Sequence, residues 1–155
     1  EWDAVIKVHL RGHYAPTHAA INHWREVGQG GHVVCTASTS GILGNFGQSN
    51  YGAAKAGIAA FAQIVGMEQW KHGITVNAIC PGYVDTPMTD DSVNNIVART
   101  GMSAEKARAT LAKTSPQNRL IQPEEVAAIA VFLAQDSSQG ITGQGINIDG
   151  GGVMS

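Results

Sequence analysis

Apolar and polar positions along the chain switch repeatedly between a helical and a strand period. Over residues 2 to about 26, apolar side chains fall at Val5, Val8, Ala15, Ala19 and Trp24, and the pattern breaks at the glycines of 28–31. That spacing predicts an amphipathic helix. The next run, HVVCT at 32–36, is short, apolar and β-prone, as expected of a buried parallel strand. An alanine-rich helix is predicted from Asn50 to about His72, followed by a second buried strand at 74–80 that runs into the turn signal Pro81-Gly82. Polar, charged residues at 89–117 predict two short helices, with Ser103 capping the second and Glu105 in its first turn. A further helix and a last strand complete the order. Helices alternating with buried strands give an α/β class with a parallel sheet.

Composition narrows the function classes. Apolar residues make up 43% of the 155 and the formal net charge is −2, so no basic field draws the chain to nucleic acid or to an anionic membrane. No secretory signal or membrane span is visible, and a cytoplasmic location is expected. His13, His18 and His23 are spaced by five, which does not keep them on one helix face, and Cys35 and Cys80 lack CxxC spacing. No metal site is expected, and both cysteines should pack as small apolar side chains.

The chemistry is concentrated at 38–55, STSGILGNFGQSNYGAAK. Tyr51 and Lys55 are four apart, so on a helix they share a face, and a cation beside a phenol favours the phenolate. A tyrosine tuned that way suits general acid–base work at a carbonyl or alcohol oxygen. Ser38 follows the first strand, and Pro81 follows the second. In open parallel sheets, ligands bind beyond the carboxyl ends of the strands, so both loops should open into one site. Asn50 and Ser40 are read as a helix cap and a turn residue.

These motifs, taken together, resemble the carboxyl-terminal part of a classical short-chain dehydrogenase/reductase. Ser38 lies thirteen residues before the tyrosine of YxxxK, a PGxVxT loop stands at Pro81 to Thr86, PEEVA opens at Pro123, and TGQ and DGG bracket the last strand. The resemblance covers nearly all of the chain. It implies a three-layer Rossmann-like parallel sheet with helices on both faces. It also implies NAD or NADP as cofactor, Tyr51 as acid/base and Ser38 as the group that orients the substrate oxygen. Lys55 would bond the nicotinamide ribose and depress the tyrosine pKa. Tyr51, Lys55, Pro81, Gly82, Val84 and Thr86 would contact the cofactor, and residues 87–117 would form a substrate lid.

One position departs from the family pattern. His9, in VHLRG, stands where the family's VNLxG string has its catalytic asparagine, although the hydroxyacyl-CoA dehydrogenase units of multifunctional β-oxidation proteins resemble this chain in having VHLRG. A proton-relay role for His9 and a purely structural one both stay open. The 19 glycines include no GxGxxG, so the phosphate-binding half of the fold is not visible here. Residues 1–155 are accordingly read as the carboxyl-terminal part of a single Rossmann-like domain, and three strands alone should leave an exposed, aggregation-prone edge. Apolar residues of 41–48 are expected near the substrate carbonyl. The strings resemble hydroxyacyl or oxoacyl thioester enzymes, and 80–88 resembles polyketide ketoreductases. The resemblance further implies a homodimer or homotetramer and a small carbonyl or alcohol substrate. A non-catalytic subunit that has lost cofactor binding is the alternative.

Overall fold

The computed structural model describes residues 1–154. The amino-terminal helix expected from the apolar spacing runs through α1 (Trp2–Ile6), a π-helical turn (Lys7–Arg11) and α2 (Gly12–Val27). It stops at Gly28, whose φ of 69° is left-handed and therefore suits glycine. The chain continues through β1 (Gly31–Thr36), a four-residue α3 (Ser40–Leu43), the long α4 (Ser49–Gln69) with a 3-10 turn after it, and β2 (Ile74–Pro81). Then come α5 (Pro87–Thr100), α6 (Ala104–Ala112), α7 (Pro123–Leu133) and β3 (Gly145–Ile148).

The three strands form one parallel sheet in the order β1-β2-β3. The central strand β2 is buried at every position because both faces are covered. Its alternate residues Ile74, Val76, Ala78 and Cys80 join Ile58 and Ala62 of α4 and Ile21 of α2 in the main core. Strand alternation sends Thr75, Asn77 and Ile79 to the opposite face, where α7 packs. Asn77 is fully buried but paired: its amide donates to the Ile141 carbonyl at 2.8 Å and its Oδ1 accepts from Gln144 N–H at 3.0 Å. Those two bonds fix the loop that delivers β3.

The segment at 87–112 is a helical pair with a small core of its own, in which Val93 of α5 meets Ala107 and Leu111 of α6 and Leu120 beyond them. Ser103 caps α6 as expected, its Oγ accepting from Lys106 N–H at 3.3 Å. The first of the two helices begins at Pro87, earlier than the polar composition suggests, because proline at the first helical position fits without a lost hydrogen bond. Two further elements differ from expectation. Ser40 opens α3 rather than a turn, and Asn50 lies inside the first turn of α4, with Gln48 at the cap position.

Candidate active site

The loops after β1 and β2 meet directly, as the sheet geometry requires. Thr39 N–H bonds the Pro81 carbonyl at 3.1 Å, and the Thr39 and Ser38 hydroxyls donate to that same oxygen at 3.3 and 3.4 Å. Ser38 Oγ also accepts from Ser40 N–H at 3.2 Å, so its hydroxyl is held beside α3. Gly41 of α3 touches α4 so closely that a Cβ there would lie 2.6 Å from Ala56 N and 2.7 Å from the Lys55 carbonyl carbon. Only glycine allows this approach, and the approach sets Ser38 against Tyr51 and Lys55.

A cavity of about 660 Å³ opens at this edge of the sheet. His9, Ser38, Tyr51, Lys55, Pro81, Gly82, Val84 and Thr86 all line it, so the candidate catalytic and cofactor residues singled out from the sequence are brought to one place. Thr89 and Ser92 of α5, Met88 and Val126 complete the wall. Sequence spacing did not point to them, because Met88, Thr89 and Ser92 reach the cavity through the packing of α5, and Val126 from the first turns of α7. Tyr83 also lines it, and its hydroxyl accepts from the Asn45 amide at 2.9 Å. The apolar side chains of 41–48 are placed differently from expectation. Phe46 is 99% exposed and Ile42 is exposed, whereas Leu43, Gly44 and Asn45 border a smaller adjoining cavity of about 160 Å³.

Lys55 is 5% exposed, and its ammonium donates to the Thr36 carbonyl at 2.7 Å. Burial pushes its pKa below the ordinary lysine value. Burial also pushes the Tyr51 phenol above its usual value, with the Ser38 hydroxyl pulling the other way and Tyr83 adding to the rise. The net shift of the Tyr51 phenol is thus upward, where the sequence led to the expectation of a value lowered by Lys55, and burial is its largest cause.

The His9 ring stands edge-on to Tyr51, with centroids 5.2 Å apart and planes at 88°. Its pKa is lowered, first by burial and then by the charges of Lys55 and His13, which favours neutral imidazole at neutral pH. Cys35 and Cys80 are each 1% exposed in the main core, and burial raises the Cys35 thiol to about 11. They pack as apolar side chains. Among the described residues, no group of three or more His, Cys, Asp or Glu side chains could hold a metal ion.

Comparisons with known proteins agree with this geometry. Residues 1–152 match the family described as Enoyl-(Acyl carrier protein) reductase. The chain is 39% identical over 151 residues to the short-chain reductase protein NovJ of Streptomyces niveus, matching 97% of this chain and 55% of that protein. It is 40% identical over 154 residues to the 3-oxoacyl-(acyl carrier protein) reductase FabG of Thermotoga maritima, covering 99% of this chain and 58% of the relative. The human (3R)-3-hydroxyacyl-CoA dehydrogenase is 34% identical over 154 residues, covering 99% of this chain and 55% of that enzyme. Among solved structures, a variant of the actinorhodin polyketide ketoreductase with NADPH superposes with a TM-score of 0.91 at 33% identity, over 97% of this chain and 58% of that one. The chain thus spans little more than half the length of the relatives it matches. Matching sequence along nearly its whole length and sharing their parallel sheet, the chain belongs to the short-chain dehydrogenase/reductase family.

Proposed function

We propose that the chain carries the catalytic half of an NAD(P)-dependent oxidoreductase that moves a hydride between nicotinamide and a carbonyl or secondary alcohol, with Tyr51 as acid/base. The observation that carries this reading is the convergence of Ser38, Tyr51 and Lys55 with Pro81, Gly82, Val84 and Thr86 on one cavity.

The residues fit the nicotinamide end of such a cofactor. Lys55 spends one N–H on Thr36 and keeps two for ribose hydroxyls, and Pro81, Gly82, Val84 and Thr86 line the same cavity, the threonine adding a hydroxyl. A Cβ on Gly82 would meet the Asp149 side chain at 2.9 Å, so this loop lies flush against the β3 end of the sheet. A bound nicotinamide would supply the hydride or accept it. Tyr51 then delivers its phenolic proton to the substrate oxygen in reduction, or withdraws the proton in oxidation. The Ser38 hydroxyl, whose oxygen is held by the Ser40 N–H, turns its single hydrogen from the long 3.4 Å bond to the Pro81 carbonyl to the same substrate oxygen and favours the charge that develops there. Lys55 stabilises the tyrosinate left behind, since its ammonium lies 5.4 Å from the Tyr51 ring centroid.

A 3-oxoacyl or 3-hydroxyacyl substrate suits the wall of Met88, Val84 and Val126, which offers an apolar surface to an acyl chain. The choice between NAD and NADP rests on residues outside these motifs. Exposed apolar side chains on the two long helices, Trp2, Val8, Tyr14, Ile64, Met67 and Trp70, support assembly with a second copy. Light scattering that finds only monomer would remove the oligomer from this reading. Among the described residues, no helix is long and apolar enough to cross a membrane.

The test is oxidation of NADH or NADPH by the purified protein with acetoacetyl-CoA, followed at 340 nm. Turnover with either nucleotide supports the reading. Failure with both, together with no quenching of nicotinamide fluorescence on mixing, favours the non-catalytic subunit.

A further inference from the structure

His13 makes two hydrogen bonds that no catalytic motif requires. Its Nδ1 lies 2.6 Å from the His9 carbonyl oxygen, and its Nε2 lies 3.1 Å from Thr36 N. A carbonyl can only accept and a backbone N–H can only donate, so Nδ1 carries the proton and Nε2 is bare. Both bonds are satisfied together by the Nδ1–H tautomer.

Both partners are parts of the candidate site. His9 sits in the π-helical turn, where Gly12 N–H bonds Lys7 O five residues back instead of four. Such turns redirect backbone carbonyls and recur at functional positions. Thr36 ends β1, and its own carbonyl is the acceptor for the Lys55 ammonium at 2.7 Å. One ring thus closes a path from the His9 carbonyl through His13 and the Thr36 peptide to Lys55, while the His9 imidazole rests edge-on against Tyr51. Three of the four candidate catalytic side chains are tied together through a residue one helical turn from His9.

We propose that His13 is a positioning residue, clipping the π-helical turn that carries His9 to the strand end that holds Lys55. The proposal rests on the oxidoreductase reading for its effect on rate, but not for its effect on Lys55. With the clip in place, the Thr36 carbonyl keeps its aim at the ammonium. Without it, the Thr36 N–H and the His9 carbonyl must find solvent. The strand end is then free to shift, and the aim of the Thr36 carbonyl at the Lys55 ammonium relaxes with it.

The experiment compares the parent with His13→Leu and His13→Gln, the glutamine keeping an acceptor for Thr36 N–H. Nitrogen-15 NMR of the parent is expected to show His13 as the Nδ1–H tautomer. The Lys55 side-chain titration, followed by carbon-13 NMR at Cε, is expected to move toward the ordinary lysine range in His13→Leu and to return in His13→Gln. In turnover, His13→Leu should lose about tenfold in kcat with KM for both substrates within about twofold, as expected for lost alignment rather than lost binding. An Nε2–H tautomer, or a Lys55 titration unmoved in a folded His13→Leu protein, overturns the clip. The Nδ1–H tautomer and the Lys55 shift in a protein without turnover would support the clip and overturn the enzyme reading instead.

Discussion

The Lys55 ammonium lies 5.4 Å from the centroid of the Tyr51 ring, yet its hydrogen bond goes to the Thr36 carbonyl at 2.7 Å. Burial therefore governs the phenol, and its pKa is raised. The difference in phenolate absorbance between the parent and Tyr51→Phe should titrate above the ordinary tyrosine value of about 10. A midpoint below that value would show the lysine charge winning. Because the folded value is the higher one, keeping the phenol neutral stabilises the fold fully below about pH 10, and that contribution is lost as pH rises through the folded pKa. Tyr51→Phe should lower turnover by about 10²-fold or more and leave nucleotide binding largely intact.

Lys55 carries the opposite sign. Its folded pKa is depressed by burial, so below about pH 10.5 the unfolded chain takes up the proton more readily and the buried charge works against folding. Lys55→Met keeps much of the side-chain volume without the charge. It should raise stability at neutral pH by about 1–2 kcal/mol in urea unfolding while abolishing turnover. The gap between parent and variant should narrow as pH rises from the depressed folded value and close above the ordinary lysine value of about 10.5, where the parent lysine becomes neutral in both states. A variant less stable than the parent at pH 7 would show that the bond to Thr36 outweighs the desolvated charge.

The residues that were legible in the sequence are those whose roles are set by short spacings. Tyr51 and Lys55 share a face because four residues make one turn, and the Pro81 to Thr86 loop follows a strand that its unbroken apolar run announces. The π-helical turn at Lys7–Arg11 was not legible, since one extra residue in a turn leaves the apolar spacing almost unchanged. At four residues, α3 is too short to show a period. Thr89 and Ser92 reach the cavity because α5 folds back on α6, a tertiary event. The direction of the Tyr51 shift depends on depth of burial and on which acceptor Lys55 chooses, and neither is written in the YxxxK spacing.

Arg108 of α6 pairs with Asp85 and, at 2.7 Å, with Asp90. Asp85 lies between Val84 and Thr86, so this arginine ties the helical pair to the candidate cofactor loop. Arg108→Gln should free the two to move apart, raising KM several-fold with a smaller change in kcat. The pair is partly exposed, so raising salt in the parent should reproduce part of that KM increase. Unchanged KM in the variant would mean that the core of Val93, Ala107 and Leu111 alone holds the helical pair in place.

Glu125 closes the start of α7: it takes both Arg119 nitrogens at 2.6 and 2.7 Å and also accepts from Gln122 N–H at 2.7 Å. Arg119 first, and the Gln122 N–H second, hold its pKa down at about 2, from 4.5. The folded value being the lower, its contribution is present above pH 4.5 and lost as pH falls toward about 2. Glu125→Gln should lower the Tm at pH 7, and the two proteins should converge in thermal unfolding below about pH 3. Parallel curves over that window would separate the capping box from any charge effect.

Gly41 decides how closely α3 can approach α4. A Cβ there would fall 2.6 Å from Ala56 N and 2.7 Å from the Lys55 carbonyl carbon, distances that only a backbone shift can relieve. Gly41→Ala must therefore push α3 and Ser38 away from Tyr51 and Lys55, or push α4 away from the sheet. The first costs catalysis and the second costs stability, because Ile58 and Ala62 of α4 are fully buried against β2. Overpacking of this kind typically costs about 1–3 kcal/mol when the core yields. A loss of unfolding stability in that range with kcat unchanged would show that α4 gives way. A loss of kcat of about tenfold or more at nearly constant stability would show that α3 gives way and that the serine's distance from the phenol limits the reaction. The second outcome is expected, since α3 is a single turn anchored at Ser38 and Thr39, whereas α4 is 21 residues packed along the central strand.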